Sequence, residues 1–441
     1  MFKYLFYFSL IVPISGFSQH QIKGTFSPAT EFKVTMLYHL SSGNVNYTSY
    51  GSVNKEGVVQ IDLDASIPAG VYKLVYALPQ SDHNFEFIYN GTEDIVFNFD
   101  RATGVEFINS KENQLFQSYN QTISKAQNEL LQFYTQKTLD SIKYRKHLLQ
   151  IDSLQNSYET LSKGLIASHF IVASKPYVPS KVVTAETYMK SAKSHYFKPM
   201  NFQDTILQNS NFLIDKSIDY ILGMHPSDTP PFKQYTANID AVYQAFSNTK
   251  QAYQLISLNT LKELLIKSQQ EALAVYLTKT YVLPLAIELS ATELVLSLQT
   301  FLRVAVGAKA PNFEIQDPLT ALQTSLYELK DTTTYILIFW SSDCGHCMKE
   351  LPQVHSYISN HSEKDLKIIA IGLEKKRQPW GEVIKKWPTF THTIAEGKWG
   401  HSITKKYDIQ ATPSYFVLDA SKTITSKPYL FKDLKAVLDQ K

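Results

Sequence analysis

The two cysteines of the chain are the residues best placed to do chemistry. Cys344 and Cys347 are separated by Gly345 and His346 and follow an apolar run. A C-x-x-C pair between a buried strand and a helix places its first sulfur at the helix N-terminus, where unpaired N–H groups and the helix dipole favour an anion. The thiolate is the nucleophile, so this position predicts that Cys344 attacks and that Cys347, one turn later, closes a disulfide. The imidazole of His346 can also favour the neighbouring thiolate.

Three other interpretations of the cysteine pair compete with redox chemistry. A zinc site needs more ligands, and because the chain has no second cysteine pair, His355 or His361 would have to supply them. A copper-transfer site would combine both cysteines with a histidine, and two unrelated buried cysteines would have no chemistry. Redox exchange is favoured over all three, and it requires no metal and no cofactor other than the Cys344–Cys347 disulfide.

The segments around the pair alternate between strand and helix patterns. The continuous apolar run that ends at Trp340 is typical of a strand buried on both faces. The patterns predict strands at 335–340, 366–372, 414–418 and around Ile424, and helices at 346–359 and 431–438. This alternation predicts an α/β domain over residues 303–441.

Several motifs of this domain, in the right order, resemble those of a known family. They are the opening segment 307–313, the strand end 339–347, Pro352 in the following helix and the loop 411–417. Together they resemble the thioredoxin fold and, within it, the TlpA/ResA-like exported thiol-disulfide oxidoreductases. The resemblance covers residues 305–441, and it implies a thioredoxin-like fold for the C-terminal domain.

The resemblance also implies site residues. Cys344 and Cys347 would be catalytic, and the loop at 411–417 would hold the family's cis-proline, which lies beside the disulfide. In the family, the residue before that proline offers backbone hydrogen bonds to a bound peptide. The supporting residues that the resemblance implies are Trp340, Gly345, His346, Thr412 and Pro413.

Two positions depart from the family's pattern. Ile338 stands where thioredoxin keeps a buried carboxylate that shuttles protons to the second cysteine, so another base is needed. Glu374 is a candidate base because the carboxyl end of its strand would border the site; the alternative is an ordinary exposed glutamate. Asp343 stands directly before Cys344, where the family often has an aromatic residue, and its carboxylate would oppose the thiolate by charge repulsion.

The first eighteen residues have the layout of a signal peptide. Lys3 precedes a short apolar stretch at 4–14, and Gly16 and Ser18 provide small residues for a cut before Gln19. The stretch is shorter than the ~20 residues that a membrane helix needs, and no later stretch is apolar enough to span a bilayer. We therefore predict an exported periplasmic protein with no membrane span after cleavage; the alternative is a buried first strand or helix.

Two further regions precede the α/β domain. Short β-branched and aromatic runs between Gly, Pro and Asn turns predict an antiparallel β-sandwich over 19–108. Apolar residues at i, i+3 and i+4 then predict an all-α region over 109–302, interrupted at 174–180 and 225–231. The β-sandwich and the segment 196–204 resemble the leader regions of Bacteroidetes-type exported proteins. The predicted fold class is multidomain: β-sandwich, helical region and α/β thioredoxin-like domain.

The composition is that of a globular protein without a nucleic-acid surface. The 441 residues are 44% apolar and 19% charged, and 43 Lys and Arg against 40 Asp and Glu leave a net charge of +3. No block of basic residues interleaved with aromatics occurs, which argues against a dedicated nucleic-acid binder.

These observations favour an exported thiol-disulfide oxidoreductase that acts on protein thiols and disulfides. The resemblance implies a reductant supplied by a membrane-embedded or periplasmic electron donor, whereas a histidine inside the C-x-x-C resembles oxidants and isomerases, so the direction stays open. One alternative is a peroxiredoxin-like peroxidase, because 310–313 resembles that family's opening; however, Leu337 and Ser341 stand where it has proline and threonine. The other alternative is a non-enzymatic envelope binding module.

Overall fold

The computed structural model describes residues 20–41, 44–134, 140–224, 231–330, 332–361 and 365–440. These residues form two units, one up to Ser257 and the other from Leu258. The predicted signal peptide, residues 1–18, lies outside the described residues, and the predicted domain limits stay a prediction. Within the described ranges, no helix combines the length and the apolar character that crossing a membrane requires.

The first unit begins with strands on which buried and exposed residues alternate, as on β4. Their bounds are β1 His20–Ser27, β2 Val34–Ser41, β3 Asn44–Ser52, β4 Val58–Leu63, β5 Gly70–Val75, β6 Asn84–Tyr89, β7 Ile95–Asp100 and β8 Gly104–Asn109. They form two four-stranded sheets, in the orders β4-β1-β7-β8 and β3-β2-β5-β6. Side chains from both sheets share one core, with Phe26 and Phe97 from the first and Tyr72 from the second. The predicted β-sandwich is confirmed, with one parallel pair, β1 with β7.

Helices make up the rest of the first unit. Their bounds are α1 Lys111–Tyr134, α2 Ser141–Leu161, α3 Ala167–Ala173, α4 Ala185–His195, α5 Thr205–Gln208, α6 Phe212–Gly223 and α7 Phe232–Phe246, and α8 Gln251–Lys267 spans the division between the units. Side chains cap the N-termini of several of these helices. At the start of α2, for example, the Asp140 carboxylate accepts hydrogen bonds from the N–H groups of Ile142 and Lys143. The helical region is confirmed, and so is the break at 174–180; the break predicted at 225–231 lies almost wholly outside the described residues.

The second unit contains short helices before its sheet. Their bounds are α9 Glu271–Leu277, α10 Leu283–Glu288 and α11 Thr292–Arg303, with a π-helical turn at Thr278–Val282. The Glu271 carboxylate accepts from the N–H of Val306 at 3.1 Å and from Lys427 Nζ at 3.0 Å. These bonds join α9 to the residues that lead into the sheet and to a loop after it.

A five-stranded sheet forms the centre of the second unit. The strands are β11 Thr334–Trp340, β12 Leu366–Glu374, β13 Thr391–Glu396, β14 Ser414–Asp419 and β15 Ile424–Ser426, and β9 Glu314–Gln316 pairs separately with β10 Gln323–Ser325. The order is β13-β12-β11-β14-β15, with β11, β12 and β13 parallel and the other two antiparallel to them. Every residue of β11 is buried, because side chains pack on both faces of the sheet.

Two apolar cores cover the faces of this sheet. Phe339 of β11 packs in one core with Tyr407, and Trp340 packs in the other with Cys347. The helices are α12 Gly345–Asn360, α13 Trp380–Val383, α14 Ser402–Lys406 and α15 Phe431–Asp439. The predicted strands and both predicted helices are confirmed, whereas β13 was not predicted.

The close packing of Gly372 against Trp380 gives a test of this core. A Cβ on Gly372 would lie 2.2 Å from Nε1 of Trp380, a side chain only 2% exposed. We expect Gly372→Ala to lower the free energy of unfolding by about 1–3 kcal/mol, since neither side chain can move aside. All four tryptophans lie between residues 340 and 399, so urea unfolding followed by tryptophan fluorescence reports on this unit in the full chain.

The matched control is Gly381→Ala, where a Cβ meets nothing within 4 Å. It should change the unfolding free energy by less than about 1 kcal/mol. Equal unfolding midpoints for the two variants would contradict the packing described for Gly372.

Candidate active site

The parallel strands bring three loops to one edge of the sheet. β11, β12 and β13 end at Trp340, Glu374 and Glu396, and in open α/β sheets the ligands bind beyond these carboxyl ends. Glu374 joins the loops: its Oε1 accepts from the N–H of Ser342 at 2.6 Å, and its carbonyl accepts from the N–H of Gly397 at 2.8 Å. The segment before Cys344 is therefore fixed to the ends of both neighbouring strands.

Helix α12 begins at the cysteine pair, as the sequence predicts. Cys344 is the N-cap residue, and its Sγ accepts a hydrogen bond from the N–H of Cys347 at 3.3 Å. This is the position that a Ser or Asp oxygen takes in ordinary caps, so the first cysteine takes part in the start of its own helix. Pro352 lies inside α12, as expected.

The two sulfurs have opposite environments. Cys344 is partly exposed and Cys347 is fully buried. Burial acts against the Cys344 thiolate, but hydrogen bonds from the side chains of Cys347 and Thr412 and from backbone N–H groups outweigh it and hold the pKa of Cys344 below its usual value. Burial, reinforced by the hydrogen bond with Cys344, raises the pKa of Cys347 to about 12. One cysteine is thus suited to attack, and the other keeps its proton.

The residues of the C-x-x-C motif and its strand are placed as follows. Trp340 is fully buried beneath the site and packs edge-on against Trp387, with ring centroids 5.3 Å apart. Gly345 and His346 are exposed. The contribution of His346 to the lowered pKa of Cys344 comes from its backbone N–H, whereas the sequence analysis assigned it to the imidazole.

The loop before β14 closes the other side of the site. The Thr412–Pro413 peptide is cis, as the resemblance implies. Cys344 Sγ lies 3.3 Å from the carbonyl oxygen of Thr412, to which the thiol form donates a hydrogen bond. The structure therefore brings Thr412 to the Cys344 sulfur, with Pro413 next to it in the chain.

Asp343 is paired with a lysine that the sequence analysis did not identify. Its Oδ2 accepts from Lys398 Nζ and its Oδ1 accepts from Ser341 Oγ at 2.6 Å. The hydrogen bond with Lys398 is the largest of the interactions that hold the pKa of Asp343 below its usual value. The negative charge before Cys344 is therefore balanced by a positive charge, and the predicted repulsion of the thiolate is reduced.

A second carboxylate near the site, Glu350, was missed. Its Oε2 accepts from Tyr415 Oη at 2.7 Å and from the N–H of Phe431 at 3.0 Å. Burial first, and then Glu350 and the charges of both cysteines, raise the pKa of Tyr415. Tyr415 packs in the same apolar core as Cys347. The signal in the sequence was the spacing: Glu350 follows Cys347 by three residues, which is the same face of a helix.

Glu374 lies at the predicted edge and is buried, only 3% exposed, rather than an ordinary exposed glutamate. Among the described residues, no hydrogen bond joins its carboxylate to either sulfur.

The described residues contain no group of three or more His, Cys, Asp and Glu side chains that could hold a metal ion. His361, one of the histidines considered for zinc, stacks on Tyr357 instead.

Comparison with known proteins shows where the chain has relatives. Residues 331–424 match the family described as thioredoxin-like. The thiol-disulfide oxidoreductase ResA of Bacillus cereus is 26% identical over 125 residues, which are 28% of this chain and 70% of the relative. The sporulation thiol-disulfide oxidoreductase A of Bacillus subtilis is 31% identical over 87 residues, 19% of this chain and 52% of the relative. The chain thus spans one half to about two thirds of the curated relatives it matches.

Two solved structures are similar to parts of the chain. A thioredoxin-like protein from Bacteroides caccae is 20% identical, with a TM-score of 0.46, covering 60% of this chain and 97% of that one. A domain of a possible thiol-disulfide isomerase from Cytophaga hutchinsonii is 31% identical, with a TM-score of 0.28, covering 31% of this chain and 91% of that one. The C-terminal domain of this chain is thioredoxin-like, and the two curated relatives described above are named thiol-disulfide oxidoreductases.

The pairing of Asp343 with Lys398 predicts opposite effects for their removal. Asp343→Asn should lower the pKa of Cys344, because it leaves the Lys398 cation beside the thiolate without a partner. Lys398→Met should raise that pKa, because the Asp343 charge is then no longer balanced. The ultraviolet absorbance of the thiolate against pH, at low salt and in a Cys347→Ser background, measures both shifts on a single sulfur.

The double variant Asp343→Asn/Lys398→Met is the control, and its titration should lie between those of the single variants. Shifts of the same sign in both single variants would contradict the ion pair as the cause.

Proposed function

We propose that the protein is an exported thiol-disulfide oxidoreductase that exchanges disulfides with protein substrates through Cys344 and Cys347. The observation that carries this proposal is the difference between the two sulfurs. Cys344 is accessible and favours the thiolate, whereas Cys347 is buried, protonated and one helical turn away. The similarity to relatives named thiol-disulfide oxidoreductases supports the same assignment.

In the reducing direction, the Cys344 thiolate attacks one sulfur of a substrate disulfide. The substrate S–S bond breaks, a mixed disulfide forms at Cys344, and the other substrate sulfur leaves as a thiolate that takes a proton from water. Cys347 then loses its proton and attacks Cys344 Sγ, which releases the second substrate thiol and forms the Cys344–Cys347 disulfide. Two electrons pass from the protein to the substrate, and the oxidising direction reverses each step.

The proton on Cys347 needs an acceptor before the second attack, and Ile338 offers none. We assign this role to Glu350 acting through Tyr415, because the phenol donates to that carboxylate and packs in the same core as Cys347. Glu374, by accepting from Ser342, holds the loop that precedes Cys344. Glu374, the base suggested by the sequence, stays an alternative prediction for this role.

The proposal places the protein in the periplasm after removal of residues 1–18, whose charge, apolar stretch and small residues have the signal-peptide layout. A membrane-embedded or periplasmic donor would return electrons to Cys344–Cys347. The oxidised pair itself is the redox group, with no further cofactor. The Thr412 carbonyl and the neighbouring Pro413 would form the wall against which the substrate peptide lies.

Reduction of insulin by dithiothreitol tests this function. The wild-type protein should accelerate insulin precipitation, and Cys344→Ser should reduce the rate to that without protein, because the nucleophile is lost. When the pre-reduced Cys347→Ser variant is mixed with insulin without dithiothreitol, it should accumulate a mixed disulfide, because no second thiol resolves it. The adduct is seen as a higher mass that dithiothreitol then removes.

The alternatives predict different results in the same assay. A binding module would leave insulin unchanged with the wild type and with both variants. A peroxidase would consume hydrogen peroxide, with a loss on Cys344→Ser, while insulin reduction remained at the background rate.

A further inference from the structure

A basic and aromatic surface lies along the edge of the sheet that carries Cys344. Three consecutive cations, Lys375, Lys376 and Arg377, follow β12, and all three are exposed. Trp399, in the turn after β13, is 49% exposed. Within the described ranges, no ion pair engages these three cations. We call these four residues the basic rim.

Both parts of the basic rim are fixed next to the nucleophile. Lys375 directly follows Glu374, whose carboxylate binds the N–H of Ser342, two residues before Cys344. Trp399 directly follows Lys398, whose ammonium binds the carboxylate of Asp343, the residue before Cys344. The backbone at both ends of the rim is therefore tied to the segment that leads into Cys344.

The turn that presents Trp399 has a defined conformation. Gly397 and Lys398 both have left-handed backbone angles, with φ of 97° and 51°. The carbonyl of Lys398 accepts from Thr404 Oγ1 at 3.0 Å, and the N–H of Gly397 donates to the carbonyl of Glu374 at 2.8 Å. Because the backbone that carries the exposed indole is already ordered, binding a partner costs little backbone freedom, and the exposed indole is suited to be a contact residue.

The charge at this edge is positive on balance. Asp343 is neutralised by Lys398, and the Glu374 carboxylate is buried and bound to a backbone N–H. Glu396, at the end of β13 and paired in register with Glu374, is an exposed acid, so it offsets one of the three cations of the rim. On the helix side of Cys344, His346 and Lys349 are exposed, so Lys349 adds a further cation.

We propose that the basic rim recruits substrate proteins whose reactive cysteines lie in acidic segments, with Trp399 packing on an apolar side chain of the same segment. The inference rests on the proposed function and adds the substrate class to it. Positive potential around a reactive group raises the association rate of anionic partners by about 10- to 1,000-fold at low salt. The effect falls as salt shortens the screening length.

Single-turnover reduction of disulfide-linked peptides by the reduced full-length protein tests the inference. Three peptides of equal length carry Glu, Gln or Lys on both sides of the cystine. The wild type should reduce the acidic peptide about tenfold or more faster than the basic one at low ionic strength, and the ratio should fall towards one at high salt. Trp399→Ala should slow the acidic peptide about fivefold.

Charge reversal at two positions tests whether the location of the positive charge matters, as distinct from the net charge of the protein. Lys375→Glu/Lys376→Glu should slow the acidic peptide about tenfold and leave the basic peptide as fast or faster. The matched control, Lys330→Glu/Lys435→Glu, makes the same change in net charge at exposed lysines before β11 and on α15. It should preserve the preference for the acidic peptide.

Alkylation by the neutral reagent iodoacetamide separates recruitment from thiol reactivity. Its rate should be the same within about twofold in all these variants, because recruitment of anions does not affect an uncharged reagent. The inference is overturned if the wild type reduces the acidic and basic peptides at equal rates. It is also overturned if the two double variants lose equal rates on the acidic peptide, or if the alkylation rate falls in parallel with the exchange rate. A wild type that reduces none of the peptides would instead contradict the proposed function.

Discussion

The hydrogen bond from the N–H of Cys347 to the sulfur of Cys344 is the interaction on which the site depends. It makes the first cysteine the cap of α12. The cap gives an otherwise unpaired N–H a partner and gives the Cys344 thiolate a donor, so the same bond begins the helix and favours the nucleophile. Cys347 is then carried by the first turn of α12 into the core, beside Trp340 and Leu351. Reactivity at one sulfur and burial at the other follow from one helix start.

The sheet determines where that helix start lies. β11 is buried along its whole length, so its end at Trp340 has little freedom to shift. Glu374 then fixes the segment between β11 and α12 through the N–H of Ser342, and Lys398 pairs with Asp343 in the same segment. The two loops that follow β12 and β13 thus hold the approach to Cys344 from one side, and Thr412 lies on the other. The loops at this edge of the sheet form the site together, and the C-x-x-C motif is only one part of it.

The elements that the sequence predicts are those whose patterns are local. The apolar run of β11, the helix after the cysteines and the strands on either side follow from periodicity, and the motif order carries the resemblance to thioredoxin-like proteins. β13 could not be predicted this way, because its strand Thr391–Glu396 contains two threonines and a histidine. His392 is nevertheless fully buried, since its Nε2 pairs with the carbonyl oxygen of Trp387 and its N–H donates to Asp317. Tertiary contacts stabilise this strand, and no local pattern indicates them.

Interactions between residues that are far apart in the sequence account for the other differences between the predicted and the observed site. The repulsion expected from Asp343 assumed an unpaired charge, whereas Lys398, 55 residues away, balances it. The placement of Glu374 near the site followed from the strand-end rule, but nothing in the sequence indicates its bond to Ser342, which is 32 residues away. Glu350 was within reach of sequence reasoning, because its spacing from Cys347 places both on one face of α12. What could not be foreseen is its partner, Tyr415, which is 65 residues away and packs in the same core as Cys347.

The thiol pKa values of the two cysteines differ because of where α12 begins. Alkylation of the reduced wild-type protein with iodoacetamide across pH, with mass spectrometry to assign each modified cysteine, tests this claim directly. Cys344 should react with a midpoint below the value of an ordinary thiol, and Cys347 should stay unmodified until the pH approaches its raised pKa of about 12. Equal midpoints, or a Cys347 that reacts first, would contradict the account.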